Sequence, residues 1–352
     1  MTIEQMETPV LILDLDKMEE NIHSMQKLTE NCGIALRPHY KSHKCPQIAH
    51  WQMEAGAVGI TCAKLTEAED LVKAGIKDVL IANQVINAAK IARLAHLARG
   101  CHLGVCVEDE ENINNLERAA EAAGSIIYVL IEYEVSMKRC GVETKEEFLR
   151  LAKIINTCPH LEYEGIQAYA GNLAHVKDFA ARKAASEKVD ALVKELIDYL
   201  KENQIPCRKV SGISTGTSVF KGKGIYTEMQ AGSYLFMDGA YGALGLDFKN
   251  ALFILSDVMS VKKDRIITDA GLKSMGTDQG NPELLGHPGA EIDLSEEHTR
   301  FTVPDHKYKV GDKVFLIPSH GCTTVNLYDK IYLVRANEIT GVLEVSSRGK
   351  SQ

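Results

Sequence analysis

The sequence predicts an α/β chain: a closed (β/α)8 TIM barrel followed by a separate all-β domain. Three observations lead there. Short apolar runs alternate with helical patterns at a spacing of roughly 20 to 25 residues, the length of one strand-loop-helix-loop unit. After about Gly245 that alternation gives way to short β runs joined by turns. The first strand-to-helix turn also lacks a GxGxxG pattern, which disfavours the open doubly wound sheet as the alternative. A chain of 352 residues is long enough for a large barrel plus a second domain.

Residues 10–15 form a mostly apolar run after Thr8-Pro9 and lead through Asp16 into apolar Met18, Ile22, Met25 and Leu28. The pattern is a buried strand feeding a helix, with Asp16 at its N-cap. Strand-like runs then recur at residues 34–36, 57–61, 78–82, 102–107 and 126–132, with turn signals such as Ala55-Gly56 and Ala74-Gly75 between them. Longer intervals separate the runs at 164–169 and 210–213, and residues 234–237 are the eighth candidate. Regular alternation of strand and helix implies a parallel sheet, and eight strands after the first helix imply closure.

Beyond the barrel, residues 251–261 and 265–268 flank the turn Lys262-Lys263-Asp264, followed by runs at 312–317, 330–334 and, after Thr340-Gly341, 342–345. Residues 271–308 read mainly as loop. That is long for a connection, which points to a functional or interfacial segment.

Composition excludes several classes. The net charge of -8 leaves no surplus of Lys and Arg for general nucleic-acid binding. Nine cysteines without CxxC pairs suggest neither a disulfide framework nor a zinc ribbon, and they fit a reducing cytoplasm. Residues 1–6 are polar and acidic, and no apolar run approaches membrane-spanning length, so a soluble cytoplasmic protein is expected, with no membrane partner. The expected partners are small molecules and copies of the chain itself.

The candidate chemistry centres on Arg37-Pro38-His39-Tyr40-Lys41-Ser42-His43-Lys44, which crowds basic and imidazole groups behind a short apolar run. Crowded cations disfavour one another's charged forms, and a lysine with a lowered pKa can be a nucleophile. Lys41 would fall at the C-terminal end of a barrel strand, where barrel active sites sit. The bland reading is a solvated basic turn. Small and hydroxyl residues close the seventh strand at Ser214-Thr215-Gly216-Thr217 and precede the eighth at Ala231-Gly232-Ser233. Such loops commonly form the barrel's phosphate site, although they are also ordinary turns.

Arg139, after the strand ending at Glu132, reaches the same rim and can donate to a phenolate or carboxylate; otherwise it is a surface arginine. Gln167 and Tyr169 close the next strand, with core packing as the alternative for Tyr169. In the β domain, His320 and Cys322 stand two apart, and on an extended segment both would face one side, as a borderline-soft metal such as Zn²⁺ needs. Two ligands make an open site, and from spacing alone such a pair is usually nothing.

Together these residues resemble the fold-type III pyridoxal phosphate enzymes, specifically the D-threonine aldolase and D-serine dehydratase family with its alanine racemase-like barrel. Matching motifs run in order: Thr8-Pro9 with Asp14-Leu15-Asp16; Arg37-Pro38-His39 with Lys41-Ser42-His43-Lys44; residues 165–169; Gly232-Ser233-Tyr234 with Phe236-Met237-Asp238; Asp269-Ala270-Gly271 with Lys273; and residues 318–326. The resemblance implies that Lys41 binds pyridoxal 5'-phosphate covalently as an imine. It implies cofactor contacts for Gln167, Tyr169, Thr215, Gly232 and Ser233, a catalytic place for Arg139 near the ring, and metal ligands in His320 and Cys322.

It further implies a barrel over residues 17–245. Residues 1–16 and 246–352 then form the β domain that carries the metal, with a homodimer completing each site. D-threonine aldolases typically carry His-x-Asp at the metal position, whereas the dehydratases carry His-x-Cys with zinc. This chain has the dehydratase pair, while Gln167-Ala168-Tyr169 and residues 232–238 look more like the aldolase branch.

The implied activity is a lyase acting on D-configured 3-hydroxy amino acids, by retro-aldol cleavage or, alternatively, by dehydration of D-serine or 3-hydroxyaspartate. An amino-acid racemase and a non-catalytic cofactor carrier are the remaining alternatives. A thiolate ligand favours zinc as the divalent metal, ahead of manganese or magnesium.

Overall fold

The computed structural model describes residues 1–352. They form two compact units. One comprises Met1–Met25, Ser42–Gln47 and Ser233–Gly349; the other comprises Gln26–Lys41, Ile48–Gly232 and Lys350–Gln352. No helix is long and apolar enough to cross a membrane.

The chain opens with β1 (Val10–Asp14) and α1 (Leu15–Cys32). The helix begins one turn signal earlier than expected: Asp14 Oδ1 accepts the Lys17 N–H at 3.2 Å, so Asp14 does the capping, and Asp16 instead pairs with Arg335.

The larger unit is the barrel. Its strands and helices alternate as β2 (Ala35–Leu36), α2 (Pro46–Glu54), β3 (Ile60–Cys62), α3 (Leu65–Lys73), β4 (Asp78–Gln84), α4 (Ala88–Leu97), β5 (His102–Val107), α5 (Glu110–Ala123), β6 (Ile127–Glu132), α6 (Lys145–Ile155), β7 (Leu161–Ala168), α7 (Phe179–Glu202), β8 (Lys209–Gly212) and β9 (Glu228–Met229). All pairings are parallel, in the order β2-β9-β8-β7-β6-β5-β4-β3. A parallel bridge between His39 and Thr61, with Thr61 N–H donating to Pro38 O at 2.9 Å, joins the first strand to the second and closes the ring. Four of the helices start where a side chain satisfies their first N–H groups: Asn87 before α4, Asp109 before α5, Thr144 before α6 and Asp178 before α7.

The closing strand is Glu228–Met229, not residues 234–237. The expected run instead forms a buried one-turn helix, Ser233–Leu235, and Met237 adopts a left-handed φ of 50° that no strand accommodates. A network of charged side chains links β4, β5, β7, β8 and β9 with Arg37. Arg37, 2 % exposed, donates from Nε and Nη2 to Glu228 at 2.9 Å each and from Nη1 to Asp78 at 2.6 Å. His102 reaches Asp78 through Nδ1 at 3.2 Å and Glu164 through Nε2 at 2.8 Å, and Lys209 joins Glu164 at 2.8 Å.

Three cations thus face three carboxylates, and His102 must carry both ring protons to make its bonds. Burial alone would lower its pKa, but the two carboxylates raise it to about 9. Burial would raise the pKa values of Asp78 and Glu164. Hydrogen bonds and the facing cations instead hold both below the usual carboxylate range.

In the smaller unit, β1 pairs antiparallel with β10 (Leu252–Lys262) and parallel with a later strand, so the amino-terminal strand belongs to the β unit. β11 (Arg265–Thr268) follows the anticipated turn. The segment read as loop contains β12 (Glu283–Leu284) and the hairpin of β13 (Glu291–Leu294) and β14 (Thr299–Thr302). β13 alternates exposed charged residues with half-buried apolar ones and β14 alternates buried with half-buried residues, so neither has a continuous apolar run, which concealed them. β15 (Lys313–Ile317), α8 (Gly239–Gly242), α9 (Gly321–Val325), β16 (Lys330–Arg335) and β17 (Glu338–Glu344) complete the unit. Thr340-Gly341 lies inside β17; the turn is Ala336-Asn337, both left-handed, as a two-residue hairpin requires. Ile3, Met6, Ile12, Phe253, Leu255, Ile317 and Val334 form its core.

Candidate functional site

Because the barrel strands are parallel, the residues at their carboxyl ends share one rim. Past β2 the ladder continues, with Arg37 N–H on Met229 O at 2.9 Å and His39 N–H on Ala231 O at 3.1 Å. The chain then turns through the one-turn helix Tyr40–Ser42, which places Lys41 on the wall of a cavity of about 170 Å³. His39, Arg139, Gln167, Tyr169 and Gln230 line the same cavity. Lys41 Nζ stands 5.5 Å from the centroid of the Tyr169 ring. His39 Nδ1 accepts the Lys41 N–H at 3.3 Å, which assigns the ring proton of His39 to Nε2. Tyr169 lies against Gly171, where an added Cβ would be 2.5 Å from Tyr169 Cε1.

The basic stretch itself is dispersed rather than crowded. Arg37 is taken by Asp78 and Glu228, His43 is fully buried with Nδ1 against the Cys45 backbone, and Lys44 Nζ reaches Ser347 O at 3.5 Å. Only His39 and Lys41 of this stretch face the cavity. The expectation that mutual repulsion among these cations activates the lysine is therefore not met by the fold.

Two polar networks shape the rest of the wall. Glu132, buried at the end of β6, accepts from Gln84 Nε2 at 2.6 Å and from Arg139 Nη2 at 3.4 Å, which tethers an otherwise half-exposed arginine over the cavity. Burial raises the Glu132 pKa, while Gln84 and Arg139 oppose the rise. Gln167 and Gln230 exchange amide hydrogen bonds at 3.1 and 2.7 Å, and Gln230 also donates to Ser211 Oγ at 2.9 Å. Both glutamines are buried, so the paired amides fix each other's orientation and satisfy groups that would be costly to leave unpaired.

Thr215, Gly232 and Ser233 do not line this cavity. Thr215 opens the buried turn Thr215–Phe220 after β8, and Gly232 follows Ala231 beyond β9. Just before that turn, Ile213 has a φ of 65°, a conformation that costs a β-branched residue about 1–3 kcal/mol. The loop holding the small and hydroxyl residues is thus strained. Ser233 begins the one-turn helix Ser233–Leu235 in the smaller unit.

In the smaller unit, His320 is not on an extended segment with Cys322. It precedes the one-and-a-half-turn helix α9, and Cys322 lies in the first turn. Helical geometry still brings the pair into hydrogen-bond contact. His320 Nδ1 meets Asp278 Oδ2 at 2.6 Å, and Cys322 Sγ reaches Ser42 Oγ at 3.6 Å. Burial would lower the His320 pKa, but Cys322 and Asp278 raise it to about 9. Burial would raise the Asp278 pKa, but Thr323 and His320 hold it below the carboxylate range. Asp238 Oδ2 accepts the Gly321 N–H at 2.8 Å, so a buried carboxylate also fixes the residue between the pair. No group of three or more His, Cys, Asp or Glu is arranged to hold a metal ion.

Sequence reasoning missed Glu132, Gln230, Asn83, Cys140 and Asp278. Glu132 ends a strand that was recognised, and its position two residues before an acidic, basic and glycine-containing loop was the available signal. Asn83 and Cys140 line the cavity from β4 and the loop after β6. Asp278 falls in the segment expected to be functional, but no local pattern distinguishes it.

A closed parallel barrel with a lysine-bearing cavity at its rim, joined to a mixed β unit, defines an alanine racemase-like enzyme architecture. The family model for the alanine racemase N-terminal domain matches residues 13–239, and that for a putative serine dehydratase domain matches residues 251–334. The 3-hydroxy-D-aspartate aldolase of Paracoccus denitrificans is 40% identical over 98% of this chain and 93% of its own length. The crystal structure of D-threonine aldolase from Filomicrobium marinum covers 99% of this chain, which covers 97% of that one, at 36% identity and a TM-score of 0.95. The D-threo-3-hydroxyaspartate dehydratase of Delftia sp. HT23 gives 26% identity and a TM-score of 0.89, with 97% of this chain and 98% of that one covered. The chain belongs to the D-threonine aldolase and D-serine dehydratase family of lyases.

Proposed function

We propose that this chain is a pyridoxal 5'-phosphate- and divalent-metal-dependent lyase that cleaves D-configured 3-hydroxy amino acids by a retro-aldol reaction. The carrying observation is the rim cavity that unites Lys41, the Tyr169 ring and Arg139. Its residues suit the cofactor: an amine for covalent attachment, an aromatic wall for a heteroaromatic ring, and a permanently charged arginine for an anionic oxygen. Small residues with hydroxyl donors in the Thr215–Phe220 turn, with Gly232 and Ser233, suit its phosphate. The His320 and Cys322 pair, with Nδ1 of His320 occupied by a carboxylate, suits a metal such as zinc, with manganese or magnesium as alternatives.

When bound, pyridoxal phosphate supplies an electron sink for a bond broken at the substrate α-carbon, and the metal a Lewis acid for the β-hydroxyl. Lys41 Nζ would hold the cofactor through its amine and, when free, would deliver or remove a proton at the substrate α-carbon. Arg139, steadied by Glu132, orients negative charge at the cavity mouth, and the paired Gln167 and Gln230 present fixed amide groups to it. His320 and Cys322 would hold the metal. In the cleavage the β-hydroxyl gives its proton to solvent, the Cα–Cβ bond breaks with its electron pair left on the α-carbon, the α-carbon takes up a proton from Lys41, and glycine and an aldehyde are released. The barrel over residues 17–245 carries the cofactor and the β domain the metal, in a homodimeric cytoplasmic enzyme acting on a small D-amino acid.

Cys322 favours a second reading, dehydration, in which the α-proton and hydroxide are lost and a keto acid and ammonia form. A thiolate matches the dehydratase ligand pattern. Incubation with D-threonine, with and without added zinc or manganese, separates the two. Glycine with acetaldehyde supports cleavage; 2-oxobutyrate with ammonia supports dehydration; neither product, with cofactor bound, would leave the racemase and carrier readings.

A further inference from the structure

We propose that Asp278 is a positioning residue for the metal site, holding His320 so that Nε2 rather than Nδ1 is presented beside Cys322. This rests on the reading that His320 and Cys322 hold a metal. Asp278 Oδ2 accepts from His320 Nδ1 at 2.6 Å, and Oδ1 accepts from Thr323 Oγ1 at 2.7 Å. Both carboxylate oxygens are therefore committed to one turn, and Thr323 fixes the plane from which Asp278 approaches the ring.

The loop carrying Asp278 is stitched to that same turn. Gly276 N–H donates to Thr324 Oγ1 at 3.0 Å, Ser319 Oγ donates to Gly276 O at 2.9 Å, and Tyr328 Oη donates to Ser274 O at 2.8 Å. Gly276 is required here, since an added Cβ would lie 2.0 Å from Thr323 Oγ1. From the opposite side, Asp238 accepts from Gly321 N–H at 2.8 Å and from Tyr241 N–H at 2.9 Å. The segment from His320 to Cys322 is thus clasped twice, by Asp238 through the main chain and by Asp278 through the imidazole.

An imidazole that binds a metal through one nitrogen carries its proton on the other, and a carboxylate at that proton selects the tautomer, stops ring rotation and strengthens the donor. Asp278 meets this need with no further partner to find. Its side chain is 44 % exposed, so the ion pair contributes little to folding, and removing it tests position rather than stability.

The test is zinc affinity, measured by titrating chelator-stripped, cofactor-loaded full-length protein against a competing indicator. Asp278→Ala is expected to weaken binding about 10- to 100-fold while the metal-free melting temperature stays unchanged. Asp278→Asn, which keeps an acceptor for the Nδ1 proton, is expected to recover part of the loss. Nitrogen NMR of His320 in the zinc-loaded protein should show the ring proton on Nδ1 in the wild type and a mixture of ring forms in Asp278→Ala. Wild-type affinity in Asp278→Ala, with binding lost in His320→Ala and Cys322→Ala, overturns this proposal alone. Loss in Asp278→Ala as complete as in His320→Ala, without recovery by Asn, makes Asp278 a ligand and also overturns it. Unchanged binding in His320→Ala and Cys322→Ala removes the metal reading and this proposal together.

Discussion

Gly171→Ala perturbs the cavity by a single methyl group. An added Cβ would sit 2.5 Å from Tyr169 Cε1 and 2.9 Å from its hydroxyl, where ordinary contact begins at 3.4 Å. The ring must therefore retreat by 3.4 − 2.5, or about 0.9 Å, because the Gly171 backbone has no left-handed φ and opens a regular turn. Ring atoms at the tip of a side chain can yield, so the stability cost stays within the about 1–3 kcal/mol of a modest overpacking. The functional cost is larger, since a displacement of about 1 Å in a reacting assembly can lower rates by about 100-fold. We expect kcat/KM on D-threonine to fall about 10- to 100-fold, with the melting temperature lowered only modestly. A double-mutant cycle supplies the decisive assay: Gly171→Ala on a Tyr169→Ala background should cost nothing further, because the ring it displaces is gone. Additive losses, or a Gly171→Ala enzyme at the wild-type rate, would refute the placement of Tyr169 as a wall of the reacting assembly.

The charge network inside the barrel yields two further expectations. Arg37→Met removes the only cation bridging Asp78 and Glu228, leaving Glu228 with Lys209 at 3.7 Å. Urea unfolding should show a loss of about 3–5 kcal/mol, partly recovered by Glu228→Gln, and a loss below about 1 kcal/mol would contradict the account. His102 has its folded pKa raised to about 9 from 6.5, so its stabilising contribution is fully present below 6.5 and is lost as pH rises through 9. The stability gap between wild type and His102→Gln should accordingly narrow between those values, and a gap that widens with pH is the opposite result. At the metal position, Cys322→Asp replaces a soft donor by a hard one. It should shift the order of reactivating metals from zinc towards manganese and magnesium, and an unchanged order would sink the assignment of Cys322 as a ligand.

The barrel was legible because strand-like runs alternate with helical patterns and four of its helices, α4 to α7, begin at a capping side chain. The exception is instructive: Glu228-Met229 is too short and polar-flanked to read as a strand, whereas the apolar run at 234–237 is a buried turn. Lys41, Arg139, Gln167 and Tyr169 were accessible for the same reason as the strands, since all lie at or just beyond strand ends. Their supporting partners were not. Glu132 holds Arg139, Gln230 locks Gln167, and Asp278 holds His320 across 42 positions of sequence; such pairings depend on folded proximity that no local period encodes. His320 and Cys322 were selected on the wrong geometry, as an extended pair, although the short helix also brings them into contact.

Lys41 is proposed to carry the cofactor of a D-3-hydroxy amino acid lyase. Borohydride reduction of the cofactor-loaded protein, followed by peptide mass analysis and assay on D-threonine, tests it most directly. The account predicts the reduced cofactor on Lys41, none on Lys41→Ala, and turnover in the wild type alone. Label on another lysine, or turnover by Lys41→Ala, would contradict it.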